Sequence, residues 1–223
     1  LVIYLSSKIK KPVLLIVMVA IPHLYVITRT TGIWDGTNLS GFVAEKFSAD
    51  RAQSLQFRFD NETILIDKAL QGTLFGWGGF GRSRVYDDKG RDISIADGLW
   101  IITLGQNGIY GLATLIIAIQ VPVILFLMRI KAEYWKNREW AAPGVMAVFL
   151  AIYMIDNLLN AMINPIYMLF SGGLIGMMLK NSVPEPSASA ITAMQSAEKT
   201  HDITPPRTRF IPAPGSALLR IIH

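Results

Sequence analysis

The chain has 223 residues, 52% of them apolar and 17% charged, with mean hydropathy +0.40. A soluble domain carries roughly 25% charged residues, so an ordinary cytosolic enzyme is excluded. The net charge of +5 comes from basic residues clustered near the ends of apolar blocks, which indicates membrane topology rather than nucleic acid, and the lack of cysteine excludes disulfides, thiol nucleophiles and thiolate metal sites.

The apolar excess is gathered into a few blocks, which predicts an all-α, polytopic helical membrane protein with a large extracytoplasmic loop. The chain opens on Leu1 with an apolar stretch already under way. It is therefore expected to be the C-terminal part of a longer membrane protein, with Leu1–Leu5 the end of an upstream span. Residues 1–28 hold a cytoplasmic end and a first span, apolar over 12–27 except for His23 and preceded by Lys8, Lys10 and Lys11.

Residues 29–98 form the loop. From Ala49 to Leu74 there is no proline, and no glycine before Gly72. Leu55, Phe59, Leu65, Ile66, Ala69 and Leu70 recur mostly at three- and four-residue steps, the pattern of an amphipathic helix lying near the membrane surface. A glycine-rich turn over 75–81 and a charged loop over 85–97 complete the segment. Residues 99–180 supply three more spans, about 99–128, 141–160 and 165–180. At about 1.5 Å per residue the first would reach ~45 Å, so it must tilt or project beyond the hydrocarbon layer. Asn157, Asn160, Asn164 and Pro165 mark the reversal between the last two.

Basic residues fix the expected orientation. Arg129, Lys131, Lys136 and Arg138 lie in the connection before 141. Lys180, Lys199, Arg207, Arg209 and Arg220 lie at and beyond 180. Both segments are assigned to the cytoplasm, and 29–98, with nine basic and ten acidic residues, to the opposite side. The tail 181–223 is rich in proline, serine and alanine and is expected to be disordered. Contact of Arg207 and Arg209 with anionic lipid is weighed against a merely solvated tail, and the latter is favoured.

Four sets of residues carry candidate chemistry. Phe75-Gly-Trp-Gly-Gly-Phe-Gly81 formally contains a dinucleotide fingerprint, but the strand and βαβ unit that fingerprint needs are missing, so it is rejected. Its glycines, Gly78 and Gly79 among them, allow close backbone approach either to another helix or to an anion. Arg51, Arg58, Arg82, Arg84 and Arg91 make an arginine-rich external face suited to phosphate oxygens; ion pairing with Asp60, Glu62, Asp87 and Asp88 is the alternative. Asp97 stands at the mouth of the second span, where burial would raise its pKa toward that of a base, or where it would simply favour a helix N-terminus. Asp156, with Asn157 and Asn160, is expected inside a span and facing the interior, as either a functional polar site or helix glue. His23 is read as packing, and the sequon at Asn61 is discounted because it falls within a helix. No metal cluster is visible.

These elements, in this order, resemble the membrane O-antigen ligases and related O-antigen or exopolysaccharide polymerases. The likeness covers about residues 49–128, and more loosely the helices to about 180. It rests on Ser54-Leu-Gln-Phe-Arg58 in a basic helix, Ala69-Leu70, the glycine turn, and a polar residue eleven positions before Gly108-Ile-Tyr-Gly111. The resemblance implies transfer or polymerisation of a polyprenyl-diphosphate-linked oligosaccharide onto a glycan or lipid acceptor hydroxyl. The reaction would occur outside a bacterial cytoplasmic membrane, with no cofactor, metal or nucleic acid. Arg58 matches one family arginine, whereas Arg82 and Arg84 are phosphate candidates on chemistry alone. Where ligases carry His-Asn before the span, this chain has Asp97-Gly98. Either Asp97 is the base or the chain is a divergent branch with different chemistry. A transporter or flippase for lipid-linked glycan, and a non-catalytic membrane scaffold, are the alternatives.

Overall fold

The computed structural model describes residues 1–161 and 164–180. The tail 181–223, with the disorder expected of it, lies outside the described residues. Within them the chain is all-helical: α1 (Val2–Ile9), α2 (Val13–Thr30), α3 (Thr37–Lys46), α4 (Ala49–Leu70), α5 (Leu99–Arg129), α6 (Arg138–Asp156) and α7 (Ile166–Lys180). A single isolated bridge, Tyr86 to Asp92, is the extended pairing among the described residues.

Three described helices, α2, α5 and α6, are long and apolar enough to cross a membrane. The fourth expected span, α7, has 15 residues and rises only about 22 Å. It is held to α5 where Ser171 Oγ donates to the Ala118 carbonyl at 2.5 Å and Arg129 Nη1 to the Met178 carbonyl at 2.7 Å. Helix α1 is a short element tied to the 132–134 turn through Ser7 Oγ and the Glu133 carbonyl.

At its full length α5 is expected to tilt or to project beyond the hydrocarbon layer, and the structure shows a kink instead. Gly108 has φ 65 and ψ −164, a break only glycine adopts easily. It divides α5 into a 99–107 segment and a 109–129 segment, and the second rises about 31 Å, the thickness of the hydrocarbon layer. The first segment does not continue that line. Phe126 packs beside Gly144, and the Leu99 amide donates to the Asn157 carbonyl at 3.0 Å. Between Gly144 and Asn157 helix α6 rises only about 20 Å, whereas a straight α5 would separate Phe126 from Leu99 by about 40 Å. The 99–107 segment therefore folds back toward the end of α6.

Two cores result. One joins α2, α5, α6 and α7 through Leu15, Ile119, Phe126, Leu150, Leu174 and Met178. The other packs α4 against the 99–107 segment through Leu65, Ile66, Ala69, Ile101 and Leu104. Helix α4 starts at Ser48, whose Oγ accepts the Arg51 amide at 3.3 Å, with Asp50 in its first turn and Lys68 in its last. It ends at Leu70 rather than Leu74, because the chain turns at Gly72.

Candidate functional site

The packing of α4 on α5 brings Arg58 and Asp97 together. Arg58 Nε lies 3.6 Å from Asp97 Oδ2, with the two side chains 35% and 39% exposed. Arg58 Nη1 donates to the Leu159 carbonyl at 2.9 Å and reaches Asn160 Oδ1 at 3.4 Å. Asn160 Nδ2 in turn donates to Asp156 Oδ1 at 2.9 Å. Four of the residues singled out from sequence thus form one continuous chain, Asp97, Arg58, Asn160 and Asp156, at the junction of α4, α5 and α6.

The backbone explains why they meet. Gly98 abuts the Leu158 carbonyl, so a Cβ at 98 would collide with it. That closeness lets α5 begin directly against the last turn of α6. Two expectations change here. Asp156 is not inside a span facing the interior; it is the exposed last residue of α6. Asp97 is not buried either, since its side chain is 39% exposed. Of Asp156, Asn157 and Asn160, only Asn157 is deeply buried, its Nδ2 donating to the Tyr153 carbonyl at 2.7 Å.

Beneath the Arg58–Asp97 pair lies a buried network that the sequence reading missed. Arg29, 4% exposed, ends α2 and pairs with Glu62, 3% exposed, at 3.1 Å. Glu62 Oε2 also accepts the Tyr25 hydroxyl at 2.6 Å, and its Oε1 accepts Trp100 Nε1–H at 3.2 Å. Arg29 Nη2 donates to the Phe59 carbonyl at 2.7 Å and its Nη1 to that of Trp34 at 3.3 Å. Burial pushes the Glu62 carboxyl above its ordinary pKa, opposed by its hydrogen bonds and by the Arg29 charge. One signal was available: Glu62 falls on the apolar stripe of α4, between Phe59 and Leu65.

The glycine turn packs against the kink in α5. The Trp77 amide donates to the Gly105 carbonyl at 2.8 Å and the Gly78 amide to that of Gln106 at 2.9 Å. In return the Ile109 amide donates to the Thr73 carbonyl at 2.8 Å. A Cβ on Gly76 or Gly108 would strike the facing backbone. Close approach to a helix is therefore what these glycines provide. The Gly78 amide, expected at an anion, is committed to a carbonyl. Gly79 has open space around it, and its carbonyl accepts Arg82 Nε–H at 3.1 Å. Arg84 turns to Asp92 at 3.4 Å and to the Ser94 carbonyl at 3.0 Å. Neither Arg82 nor Arg84 touches Arg58 or Asp97 in any contact among the described residues. Asn61 is buried, its Oδ1 accepting the Ile95 amide at 2.8 Å, and His23 Nδ1 meets the Val19 carbonyl at 3.0 Å.

Chemically, the junction offers a guanidinium and a carboxylate side by side and partly open to water. Arg58 has five N–H donors, and its Nη2 is engaged by no partner among the described residues, so it retains capacity for an anionic oxygen. No group of three or more His, Asp or Glu among the described residues is arranged to hold a metal. No protein-family model, curated protein or solved structure matches this chain.

Proposed function

We propose that the chain transfers or polymerises a polyprenyl-diphosphate-linked oligosaccharide onto an acceptor hydroxyl at the outer face of a bacterial cytoplasmic membrane, as O-antigen ligases and polymerases do. The observation that carries this reading is the pairing of Arg58 with Asp97, residues from opposite ends of the 58–97 segment. A transfer of this kind needs a fixed cation for the diphosphate and a base for the hydroxyl, and Arg58 and Asp97 are of the types that can fill these roles.

In the proposed reaction the free Nη2 edge of Arg58 holds the diphosphate of the donor. Asp97 accepts a hydrogen bond from the acceptor hydroxyl, whose oxygen attacks the anomeric carbon. The bond from that carbon to the diphosphate oxygen breaks, and the proton passes to Asp97. Polyprenyl diphosphate departs with the electron pair, its charge stabilised by Arg58. Arg82, Arg84, Gly78 and Gly79 have no part in this step, because they sit around the glycine turn rather than at the junction. Asp156 and Asn160 hold the far side of Arg58.

The test uses the full chain reconstituted in lipid with a polyprenyl-diphosphate oligosaccharide and a panel of glycan and lipid acceptors. Release of free polyprenyl diphosphate is expected to require acceptor and to fall at least a hundredfold in Arg58→Ala and Asp97→Asn, both still inserted in lipid. Unchanged release by both variants would sink the mechanism. Tight donor binding without release across the panel would favour a transporter instead.

A further inference from the structure

We propose that the apolar tip of the glycine turn, Leu74, Phe75 and Phe80, is inserted into the bilayer where the membrane-crossing part of α5 begins. Three structural facts converge on this. The first is the level of the turn. The membrane-crossing segment of α5 starts at the Gly108 kink, and its 109–129 length matches the hydrocarbon layer. The turn is hydrogen-bonded to the residues on either side of that kink. Thr30 at the end of α2 and Leu70 at the end of α4 line one common groove with Ile109. Helix ends and turn therefore lie at one boundary.

The second fact is the surface the turn presents. Residues 74–80 carry no charge. The Phe75 ring stacks on Tyr110, centroids 5.1 Å apart and planes within 14°, yet the two residues remain 74% and 59% exposed. Leu74 and Ile109 beside them are also exposed. An aromatic pair flanked by aliphatic side chains at a span end is the composition of a membrane interface, where amphipathic rings sit at headgroup level. Lys68, with its Nζ 3.7 Å from the Trp77 ring centre, supplies a cation at the rim.

The third fact is Phe80. Its φ is 60, a left-handed conformation that a bulky side chain adopts only at a cost, and its side chain is fully exposed among the described residues. Strain that turns a phenylalanine away from the molecule gains nothing in water. In a bilayer the same ring removes its apolar surface from solvent, worth roughly 1.5–3 kcal/mol for a full side chain.

The experiment exploits the absence of cysteine, which makes any introduced thiol unique. Phe75→Cys, Phe80→Cys and Asp88→Cys are each labelled with a small fluorophore in vesicles of phosphatidylethanolamine and phosphatidylglycerol. Quenching by spin-labelled lipid is compared with quenching by aqueous iodide. Labels at 75 and 80 are expected to show several-fold stronger lipid quenching than the label at the exposed charged position 88, with iodide giving the reverse order. Labels at 75 and 80 that behave like the one at 88 would overturn the proposal. So would shielding at 75 and 80 that disappears on diluting protein in lipid, which would identify a second copy of the chain as the cover. Phe80 has no stacking partner among the described residues, so its substitution remains informative if loss of the Phe75–Tyr110 pair disturbs folding.

Discussion

Trp100 donates its indole N–H to Glu62 at 3.2 Å, one turn along α4 from Arg58 and three residues beyond the Asp97 that Arg58 faces. Glu62 follows Arg58 by four residues on α4, and Trp100 follows Asp97 by three at the start of α5. The exposed pair therefore rests on a buried one carried by the same two elements. Arg29 and Tyr25 extend the lower layer to α2, so three parts of the chain are locked beneath the junction.

Removing one partner of that buried layer is expected to be costly. Glu62→Ala leaves the buried Arg29 guanidinium without its counter-charge, and losses of about 3–5 kcal/mol accompany such single truncations. Replacing both residues with methionine is expected to cost less than Glu62→Ala alone. Denaturant unfolding in detergent micelles checks the order, and a Glu62→Ala loss below about 1 kcal/mol would contradict it.

Arg58→Lys separates charge from geometry. Lysine keeps the cation but cannot face Asp97, the Leu159 carbonyl and an added anion from one planar group. Transfer is expected to fall at least tenfold, with thermal stability changed by less than 1 kcal/mol, about the net contribution of one partly exposed hydrogen bond. Full activity in Arg58→Lys would mean that only charge matters there.

The glycines divide into those that must be glycine and those that need not be. Gly76 and Gly108 combine positive φ with backbone too close for a Cβ, so alanine at either should destabilise by more than about 2 kcal/mol. Gly79→Ala meets open space and should be nearly neutral in stability. It also retains the 79 amide, so an effect on donor binding without an effect on folding would return that residue to the site. Thermal melts and donor titration of the three variants make the comparison.

The charged loop should loosen in acid. The Asp87 carboxyl lies below its ordinary pKa because it accepts the Arg91 amide and then the Arg91 side chain; Asp92 is lowered chiefly by the Ser94 amide. A lowered folded pKa contributes order that is complete above the ordinary value of 3.8 and is lost as pH falls through the folded value. Amide exchange at Arg91 and Ser94 should therefore be protected at neutral pH and should lose protection below about pH 3.8. Asp87→Asn should remove most of that dependence at Arg91.

Much of the scaffold could be read directly from the chain. Apolar block length locates α2, α5 and α6, and three- and four-residue spacing locates α4, because burial of one helix face leaves its period in the sequence. Arg58 stood out as part of an arginine-rich external face, and Asp97 as a charge at the mouth of an apolar block. Their proximity did not, since it depends on the fold-back of 99–107 at Gly108. A single glycine inside an apolar run signals a kink only when something packs into the gap, and here the packing partners, Leu74 and Phe75, lie far upstream in the chain. The Arg29–Glu62 pair was hidden for a similar reason. Arg29 reads as an ordinary basic residue at a span end, and no local pattern shows that it turns inward to a carboxylate 33 positions away.

The seam between α6 and α5 makes Arg58 a fastener as well as a contact. In the turn that follows α6, the Asn157 and Leu159 carbonyls accept the Leu99 amide and the Arg58 guanidinium, so the start of α5 and the middle of α4 are both fastened to the end of α6. An anion that drew the guanidinium away would leave the Leu159 carbonyl without it. Occupancy at the junction would then be felt as fraying at the foot of α6, carrying word of a bound ligand into the membrane bundle.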